Sequence, residues 1–332
     1  MQWKPYELHT HTLHSDGQHT LMEMAMEAKK IGLNGIALTD HNTMSGLVDQ
    51  ELVEDKTGIH IVRGLEWTTF YGHMLTLGIE RYEDWRTLSP IDIEKGIKQV
   101  HKQGGLVGIA HPFCIGTPIC TGCYWEYEIS DWSLIDYIEV WSEPFPSIRQ
   151  LNKRAFELWT EKLNSGLKIS ATSGRDWHRS DPNDGPLSVT YLLMDETETD
   201  LTAQVIKALR QGKISVTQGP LLLLSGEVSS SDQAFGIGDN IKISEDDSNI
   251  KLDVQLDYII RQEKWELPTQ SLQVKIESNK GTLTEFILGD GHSEEFVYLN
   301  VKDVTWLRAE LYGVLNNVRT MIAFTNPIYF NR

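Results

Sequence analysis

The chain is poor in cysteine, lacks any long apolar run and has no excess of basic residues. Its 332 residues include only Cys114, Cys120 and Cys123, too few and too odd in number for a disulfide framework, so we expect reduced thiols in a loop. No apolar stretch approaches the length of a transmembrane helix. The first residues also lack the apolar core of a signal peptide. These absences predict a cytoplasmic protein with no membrane partner.

The balance of charges argues against one further class of partner. The formal net charge is −17, from 47 acidic and 30 basic residues. Proteins that bind the phosphate backbone of nucleic acids present a basic face, so we expect no nucleic-acid partner. Both a monomer and a homo-oligomer stay open.

Two patterns of apolar residues divide the chain into two predicted domains. Over 1–221, short apolar strands alternate with amphipathic helices, one of which begins at the capping box Thr20–Glu23. This alternation is typical of a parallel β/α architecture, which we expect to close into a barrel. Over 222–332, apolar and polar residues alternate with period two between turns, as in 252–256. That pattern predicts a small antiparallel β-sandwich.

Histidines and carboxylates stand at the ends of the predicted strands of the first domain. His9 and His11 lie two residues apart on one strand and therefore point to the same face. Asp176 and His178 repeat that spacing after a later strand. In β/α barrels the carboxyl ends of the strands carry the chemistry. The full set of candidate metal ligands is His9, His11, Asp16, His41, Glu66, His73, His111, Asp176 and His178.

The donor types of this set favour particular ions. A single histidine at a strand end is usually structural, but a set this large predicts a metal site. Imidazole and carboxylate ligands without thiolates suit zinc, manganese or iron. Asp40 is a candidate for proton transfer or for holding a ligand imidazole. Glu139 is a further candidate ligand, with the alternative that it only supports a ligand by a hydrogen bond.

Five motifs, taken together and in this order, resemble the PHP (polymerase and histidinol phosphatase) superfamily over residues 5–220. They are His9-Thr-His11 with Ser15-Asp-Gly17, Thr39-Asp-His41, Glu66 with His73, Ala110-His-Pro112, and Ser173-Gly-Arg-Asp-Trp-His178. The segment 208–220 and the β-rich tail are similar to the CehA/McbA-like branch. The resemblance implies an α/β fold, a distorted (β/α)7 barrel followed by a β-sandwich, with two or three divalent metal ions at the carboxyl ends of the strands.

The resemblance also implies which residues hold each ion. The first ion would be bound by His9, His11, Glu66 and Asp176. The second would share Glu66 and add His111 and His73, and the third would take Asp16, His41 and His178. A hydroxide that bridges two such ions is a strong nucleophile near neutral pH. We therefore expect a metal-dependent phosphoesterase that hydrolyses a small-molecule phosphate ester.

The sequence leaves open which residues contact the substrate and which reaction the centre catalyses. Arg175 and Arg179 flank the last ligands and are candidates for binding phosphate oxygens, Arg175 in a catalytic role. Trp177 and the aromatic residues of the loop 113–130 are candidates for lining the substrate mouth. The same centre would hydrolyse a carboxyl ester or carbamate, as the CehA/McbA-like resemblance allows. A metal-loaded binding protein without turnover is the third hypothesis.

Overall fold

Strands form most of the regular structure. The computed structural model describes residues 1–116, 122–231, 233–243, 248–289 and 291–331, so Cys120 lies outside the described residues. The α-helices in these ranges are α1 (Leu21–Lys30), α2 (Gln50–Thr57), α3 (Ile93–Lys102), α4 (Gln150–Asn164) and α5 (Leu201–Gln211). Within the same ranges, no helix is both long and apolar enough to cross a membrane.

The strands of the first part of the chain build one curved sheet. They are β1 (Gln2–Thr10), β2 (Gly35–Leu38), β3 (His60–Thr69), β4 (Gly72–Leu77), β5 (Leu106–Ala110), β6 (Tyr137–Ser142), β7 (Ser170–Gly174), β8 (Val189–Met194) and β9 (Ile214–Thr217). Strands β1 to β7 follow one another in the sheet in chain order, and β8 and β9 extend it on the other side of β1.

The expectation of a parallel sheet is wrong at β4 and at β8. Strand β8 runs antiparallel to both β1 and β9. Strands β1, β2 and β3 are parallel, as are β5, β6 and β7. Strand β4 runs antiparallel to both of its neighbours. Only Phe70 and Tyr71 separate β3 from β4, and so short a connection returns the chain in the antiparallel direction. The start of β4 therefore lies at the same edge of the sheet as the ends of β3 and β5.

The carboxyl ends of β1 and β7 meet and bring the two sides of the curved sheet together. The backbone N–H of His11 donates to the carbonyl of Trp177, and the N–H of Trp177 donates to the carbonyl of His9, both at 3.0 Å. The ends of the first and last strands of this set are thereby joined. Residues that follow these strands come to lie side by side.

Local signals in the sequence determine the ends of two helices. The predicted capping box of α1 is confirmed, because the Thr20 hydroxyl accepts from the Glu23 N–H while the Glu23 carboxylate accepts from the Thr20 N–H. Helix α5 ends at Gly212, whose φ of 67° lies in the left-handed region that glycine adopts without strain.

The remaining strands pack in two layers. They are β10 (Leu221–Val228), β11 (Ala234–Gly236), β12 (Asn240–Lys242), β13 (Asn249–Asp257), β14 (Leu272–Ser278), β15 (Gly281–Leu288), β16 (Glu294–Asn300), β17 (Trp306–Leu315), β18 (Val318–Thr325) and β19 (Ile328–Asn331). One layer is a four-stranded sheet in the order β11-β10-β13-β16. The other continues the first sheet, because β18 pairs with β9. Both layers contribute to one apolar core that includes Leu252, Val274 and Leu311.

A buried ion pair on β17 contacts helix α4. Arg308 Nη2 lies 2.8 Å from Glu310 Oε1, and Tyr312 donates its hydroxyl to Glu310 Oε2 at 2.6 Å. The guanidinium also donates to the Thr160 hydroxyl on α4 at 3.1 Å and lies 4.6 Å from the ring centroid of Trp159. Both charged side chains are less than a tenth exposed, at 4% and 6%.

Substituting Arg308→Ala is expected to lower the free energy of unfolding by about 3–5 kcal/mol, because the Glu310 carboxylate would remain buried without its partner. Urea denaturation of the purified protein measures the change. The double substitution Arg308→Met with Glu310→Leu serves as the control and should recover most of the loss, since it removes both charges. A cost below about 1 kcal/mol for Arg308→Ala would contradict the importance of this pair.

Candidate metal centre

The nine residues that the sequence singles out as ligands come together at one edge of the sheet. His9 lies near the end of β1, His11 directly follows that strand, Glu66 lies in β3, and the others lie in loops or at the start of β4. Their donor atoms form three groups in which all atoms lie within 4.8 Å of one another. The groups are His9, His11, Glu66 and Asp176; Glu66, His73 and His111; and His11, Asp16, His41 and His178.

Glu66 is the central carboxylate and belongs to two of the groups. It is fully buried. Its Oε2 lies 3.3 Å from His9 Nε2 and 2.9 Å from His41 Nδ1. Its Oε1 lies 2.8 Å from His73 Nδ1 and 3.3 Å from His111 Nε2. The antiparallel direction of β4 places His73 at this edge, opposite the carboxylate.

Asp176 faces the histidine pair of β1. Its Oδ1 lies 3.2 Å from His9 Nε2 and 2.9 Å from His11 Nε2. Its backbone φ is 50°, and that of His111 is 27°, both in the region that favours glycine. Such conformations cost about 1–3 kcal/mol each and persist where the surrounding structure imposes them. Two candidate ligands are thus held by strained backbone, which is typical of functional sites.

The third group lies nearest to solvent. Asp16 Oδ1 is 3.0 Å from His178 Nε2 and 3.3 Å from His41 Nε2, and the Asp16 side chain is 61% exposed. The ring of His11 stacks against those of His41 and His178, with centroids 4.3 and 4.2 Å away. His11 therefore reaches this group as well as the first, a proximity that the spacing of the sequence does not show.

The buried donor atoms of the centre fit a metal ion. Several have no hydrogen-bond partner in the described structure: His9 Nε2, both ring nitrogens of His11, Glu66 Oε2, His73 Nε2, His111 Nδ1 and Asp176 Oδ1. A buried polar atom without a partner costs about 1–3 kcal/mol, so a cluster of them needs compensation. Divalent cations that prefer nitrogen and oxygen ligands would supply it.

The electrostatics of the cluster favour anionic carboxylates. Burial opposes the charged form of Glu66, but the imidazoles around it, His9 first, hold its pKa well below the usual value. Burial lowers the pKa of His11 to about 4, which leaves a neutral ring with a free lone pair. For His41, burial is outweighed by Glu66 and Asp16, which raise its pKa to about 10.

Metal affinity is expected to rise with pH. At neutral pH the metal-free centre holds protons on His41 and on His111, whose pKa the Glu66 and Asp176 carboxylates raise to about 9 against the effect of burial. A cation must displace these protons, so binding strengthens until the pH reaches their pKa values. The association constant for manganese should increase at least about 100-fold from pH 6 to pH 8, one factor of ten per unit and proton. Calorimetry checks this, and an affinity that is flat over this range would contradict it.

Asp40 lies beside the centre and holds the loop that carries Asp16. Its carboxylate accepts from the Thr12 N–H at 2.6 Å, the Thr12 hydroxyl at 2.7 Å and the Ser15 hydroxyl at 2.7 Å. These bonds fix the segment between His11 and Asp16. The proton-transfer role suggested for Asp40 stays a prediction.

Arg175, Trp177 and Arg179 all line a cavity of about 530 Å³ that also reaches Asp176 and His178. Arg175 is buried, with Nη2 2.9 Å from Asp184 Oδ2 and its guanidinium 4.0 Å from the Trp177 ring centroid. Arg179 is exposed. Of the two arginines, Arg179 is the one on the rim and Arg175 the one held by protein partners. Their roles in substrate binding and catalysis stay predictions.

The described aromatic residues of the loop 113–130 are not among those that line this cavity. Tyr127 is buried in the main core, and Phe113 and Trp125 pack against it. Phe113 stacks with Arg154, whose guanidinium lies 4.2 Å from its ring centroid. Phe145, on the connection after β6, does line the cavity. This residue was not identified from the sequence. No motif marks that position.

Glu7 is a second residue that sequence reasoning missed. It is fully buried on β1, where its Oε1 accepts from the backbone N–H groups of His9 and Arg175, both at 3.0 Å. Glu7 therefore connects strand β1, which carries His9, to the segment that carries Asp176 and His178. A carboxylate two residues before a ligand in a buried strand is the signal that could have found it.

The fold and the centre define a class of α/β proteins with a histidine- and carboxylate-rich metal site. Residues 7–104 match the model of the PHP domain. An uncharacterized protein of Methanocaldococcus jannaschii is 33% identical over 126 residues, which are 34% of this chain and 69% of that protein. The chain belongs to the PHP-domain family.

Other similarities are shorter or more distant. A 5'-3' exoribonuclease of Haemophilus influenzae is 36% identical over 20% of this chain, and a phosphoribosyl 1,2-cyclic phosphate 1,2-diphosphodiesterase of Eggerthella lenta is 30% identical over 22%. The chain spans only 24% and 30% of their lengths. A two-domain protein of Bacteroides vulgatus with a predicted PHP-like metal-dependent phosphoesterase shares the fold, with a TM-score of 0.51 and 14% identity over 98% of this chain and 95% of that one.

Proposed function

We propose that this protein is a metal-dependent phosphoesterase that hydrolyses a small-molecule phosphate ester. The observation that carries the proposal is the fully buried Glu66, whose two oxygens face five histidines and join two of the three groups. The names of two curated relatives, a phosphodiesterase and an exoribonuclease, support hydrolysis at phosphorus. Two or three divalent ions, manganese, zinc or iron, would occupy the groups.

Divalent ions bound here would supply a nucleophile near neutral pH, by lowering the pKa of water, and would stabilise charge on the phosphoryl oxygens. The residues of the chain would hold the ions in place and orient the substrate. Glu66 and Asp176 place their carboxylates between imidazoles of β1 and of the loops. Asp40 fixes the loop of Asp16. Arg179, on the exposed rim of the cavity, would bind phosphate oxygens, since guanidinium groups match that geometry.

The cavity beside Asp176 would hold the leaving group of the ester. Its volume of about 530 Å³ is in the range of small-molecule sites. Phe145 and Trp177 line it together with Arg149 and Arg179. The aromatic side chains can contact an apolar ring of the substrate, and the arginines can bind an anionic group. A phosphate ester with a flat leaving group is the substrate that these walls favour.

The finer assignments of fold and lineage are part of the same proposal. We place the distorted (β/α)7 barrel within 1–221 and the β-sandwich within 222–332, and we assign the chain to the CehA/McbA-like branch. The core shared by the two strand layers supports the sandwich. The meeting of β1 and β7 supports the barrel.

A substrate panel with the metal-loaded protein tests the proposed reaction. Aryl phosphates, nucleotides, short oligonucleotides, an aryl acetate and an aryl carbamate are compared in manganese, zinc and iron. Turnover of small phosphate esters above the rest is the expected result. Turnover of the acetate or carbamate alone would replace phosphoester by carboxyl-ester chemistry, and turnover of none would refute a hydrolase.

A further inference from the structure

A buried carboxylate on β6 contacts the first histidine of the centre from behind. Glu139 is 1% exposed, and its Oε2 lies 2.8 Å from His9 Nδ1. Its other oxygen, Oε1, has no hydrogen-bond partner, so within the described ranges the His9 ring is the partner of this carboxylate. Glu139 lies in none of the three donor groups.

The opposite nitrogen of the same ring faces the donor groups. His9 Nε2 lies 3.3 Å from Glu66 Oε2 and 3.2 Å from Asp176 Oδ1 and has no hydrogen-bond partner. A neutral imidazole carries one proton, on either nitrogen. A carboxylate at Nδ1 draws the proton to that side and leaves the Nε2 lone pair toward the ion. The position of Glu139 thus selects one tautomer of His9.

Gly174, at the end of β7, provides the space for this contact. A Cβ at that position would lie 2.3 Å from Glu139 Oε2 and 2.7 Å from His9 Cβ, closer than atoms approach in proteins. Any larger residue would therefore displace either the carboxylate or the imidazole. The contact between Glu139 and His9 therefore explains, on steric grounds, why the segment Ser173-Gly-Arg-Asp has glycine at position 174.

We propose that Glu139 is a positioning residue, which fixes the tautomer and the orientation of His9 for metal binding, with Gly174 as the space it requires. The inference rests on the metal centre of the proposed function but not on the reaction. Glu7 does not duplicate the role, because it contacts the backbone N–H of His9 and not the ring.

Zinc binding by variants of the full chain tests the proposal. The affinity for zinc alone is measured by competition with a chromophoric chelator at pH 7. Glu139→Ala should weaken binding about 10- to 100-fold, the usual cost of losing a partner that orients a ligand. Glu139→Gln should lose less than Glu139→Ala, since an amide oxygen still accepts from Nδ1–H. Gly174→Ala should match Glu139→Ala, because it disturbs the same contact from the other side.

Glu54→Ala is the matched control. Glu54 is a half-buried carboxylate that accepts from the backbone N–H of Ile61 at 2.7 Å, away from the centre. It should lower thermal stability without changing zinc affinity. Equal affinities for the parent protein and Glu139→Ala, or an equal loss in Glu54→Ala, would overturn the proposal.

Nitrogen NMR of the unsubstituted, zinc-loaded protein gives a second test that does not depend on a variant that folds. The His9 ring should show a protonated Nδ1 and a metal-bound Nε2, and the reverse assignment would overturn the proposal. Neither experiment uses a substrate. A protein that binds zinc as expected but hydrolyses no phosphate ester would therefore refute the proposed function and leave this inference intact.

Discussion

Replacing Glu66 with glutamine is expected to lower kcat for the best phosphate ester by about 10³-fold or more, which corresponds to about 4 kcal/mol of transition-state stabilisation. The reason is that one buried carboxylate serves two donor groups. Its oxygens lie within 3.4 Å of His9, His11, His41, His73 and His111. An amide keeps the shape but loses the charge that holds a cation between them.

Kinetics and elemental analysis on the same preparation measure this effect. Bound metal should fall together with kcat, since the first and second groups both lose their shared ligand. Glu80→Gln is the control, an exposed carboxylate paired with Arg63 outside the centre, and should leave both quantities unchanged. A Glu66→Gln variant with full activity and full metal content would refute the role of this carboxylate.

Removing metal from the parent protein is expected to abolish hydrolysis and to lower Tm by about 5–10 °C. A ligand present at 1,000 times its Kd stabilises the folded state by about 4 kcal/mol, and each kcal/mol shifts Tm by about 2 °C in a chain of this size. The physical cause is the set of buried donor atoms in the centre that lack partners without an ion.

Differential scanning fluorimetry before and after treatment with a chelator follows this shift. Readdition of manganese or zinc should restore both Tm and activity, which separates metal removal from irreversible damage. Magnesium at the same concentration should restore less, because it favours all-oxygen ligands in octahedral geometry. Identical unfolding curves with and without the chelator would contradict the presence of a structural contribution from bound metal.

The convergence of the nine candidate ligands was within reach of the sequence. His9 and His11 share one strand face because side chains alternate along a strand, and Asp176 and His178 follow another strand. The carboxyl ends of parallel strands meet at one edge of a sheet, so residues far apart in the chain become neighbours. Metal ligation by these residues stays a prediction.

Contacts across the sheet could not be predicted from the sequence. The antiparallel direction of β4 follows from the short connection after Thr69. The alternation of strands and helices earlier in the chain instead suggested a parallel strand. The stacking of His11 with His41 and His178 depends on loop conformations that no motif encodes. The exposed position of Arg179 and the pairing of Arg175 with Asp184 likewise depend on how the loop 179–185 folds back.

The second half of the chain shows a different limit. Alternation with period two identified strands such as β13 and β14, because it reports which side chains face the core. It does not report which strands are neighbours. The pairing of β18 with β9, which makes the second layer continuous with the first sheet, could not be read from the pattern.

Anomalous diffraction from crystals grown with manganese tests the central claim most directly. We expect at least two peaks among Glu66, His11 and Asp176 and their histidine neighbours, with one of them in contact with a Glu66 oxygen. A map with no anomalous peak near Glu66, at a manganese concentration that saturates the protein in solution, would contradict the metal centre and the reaction proposed for it.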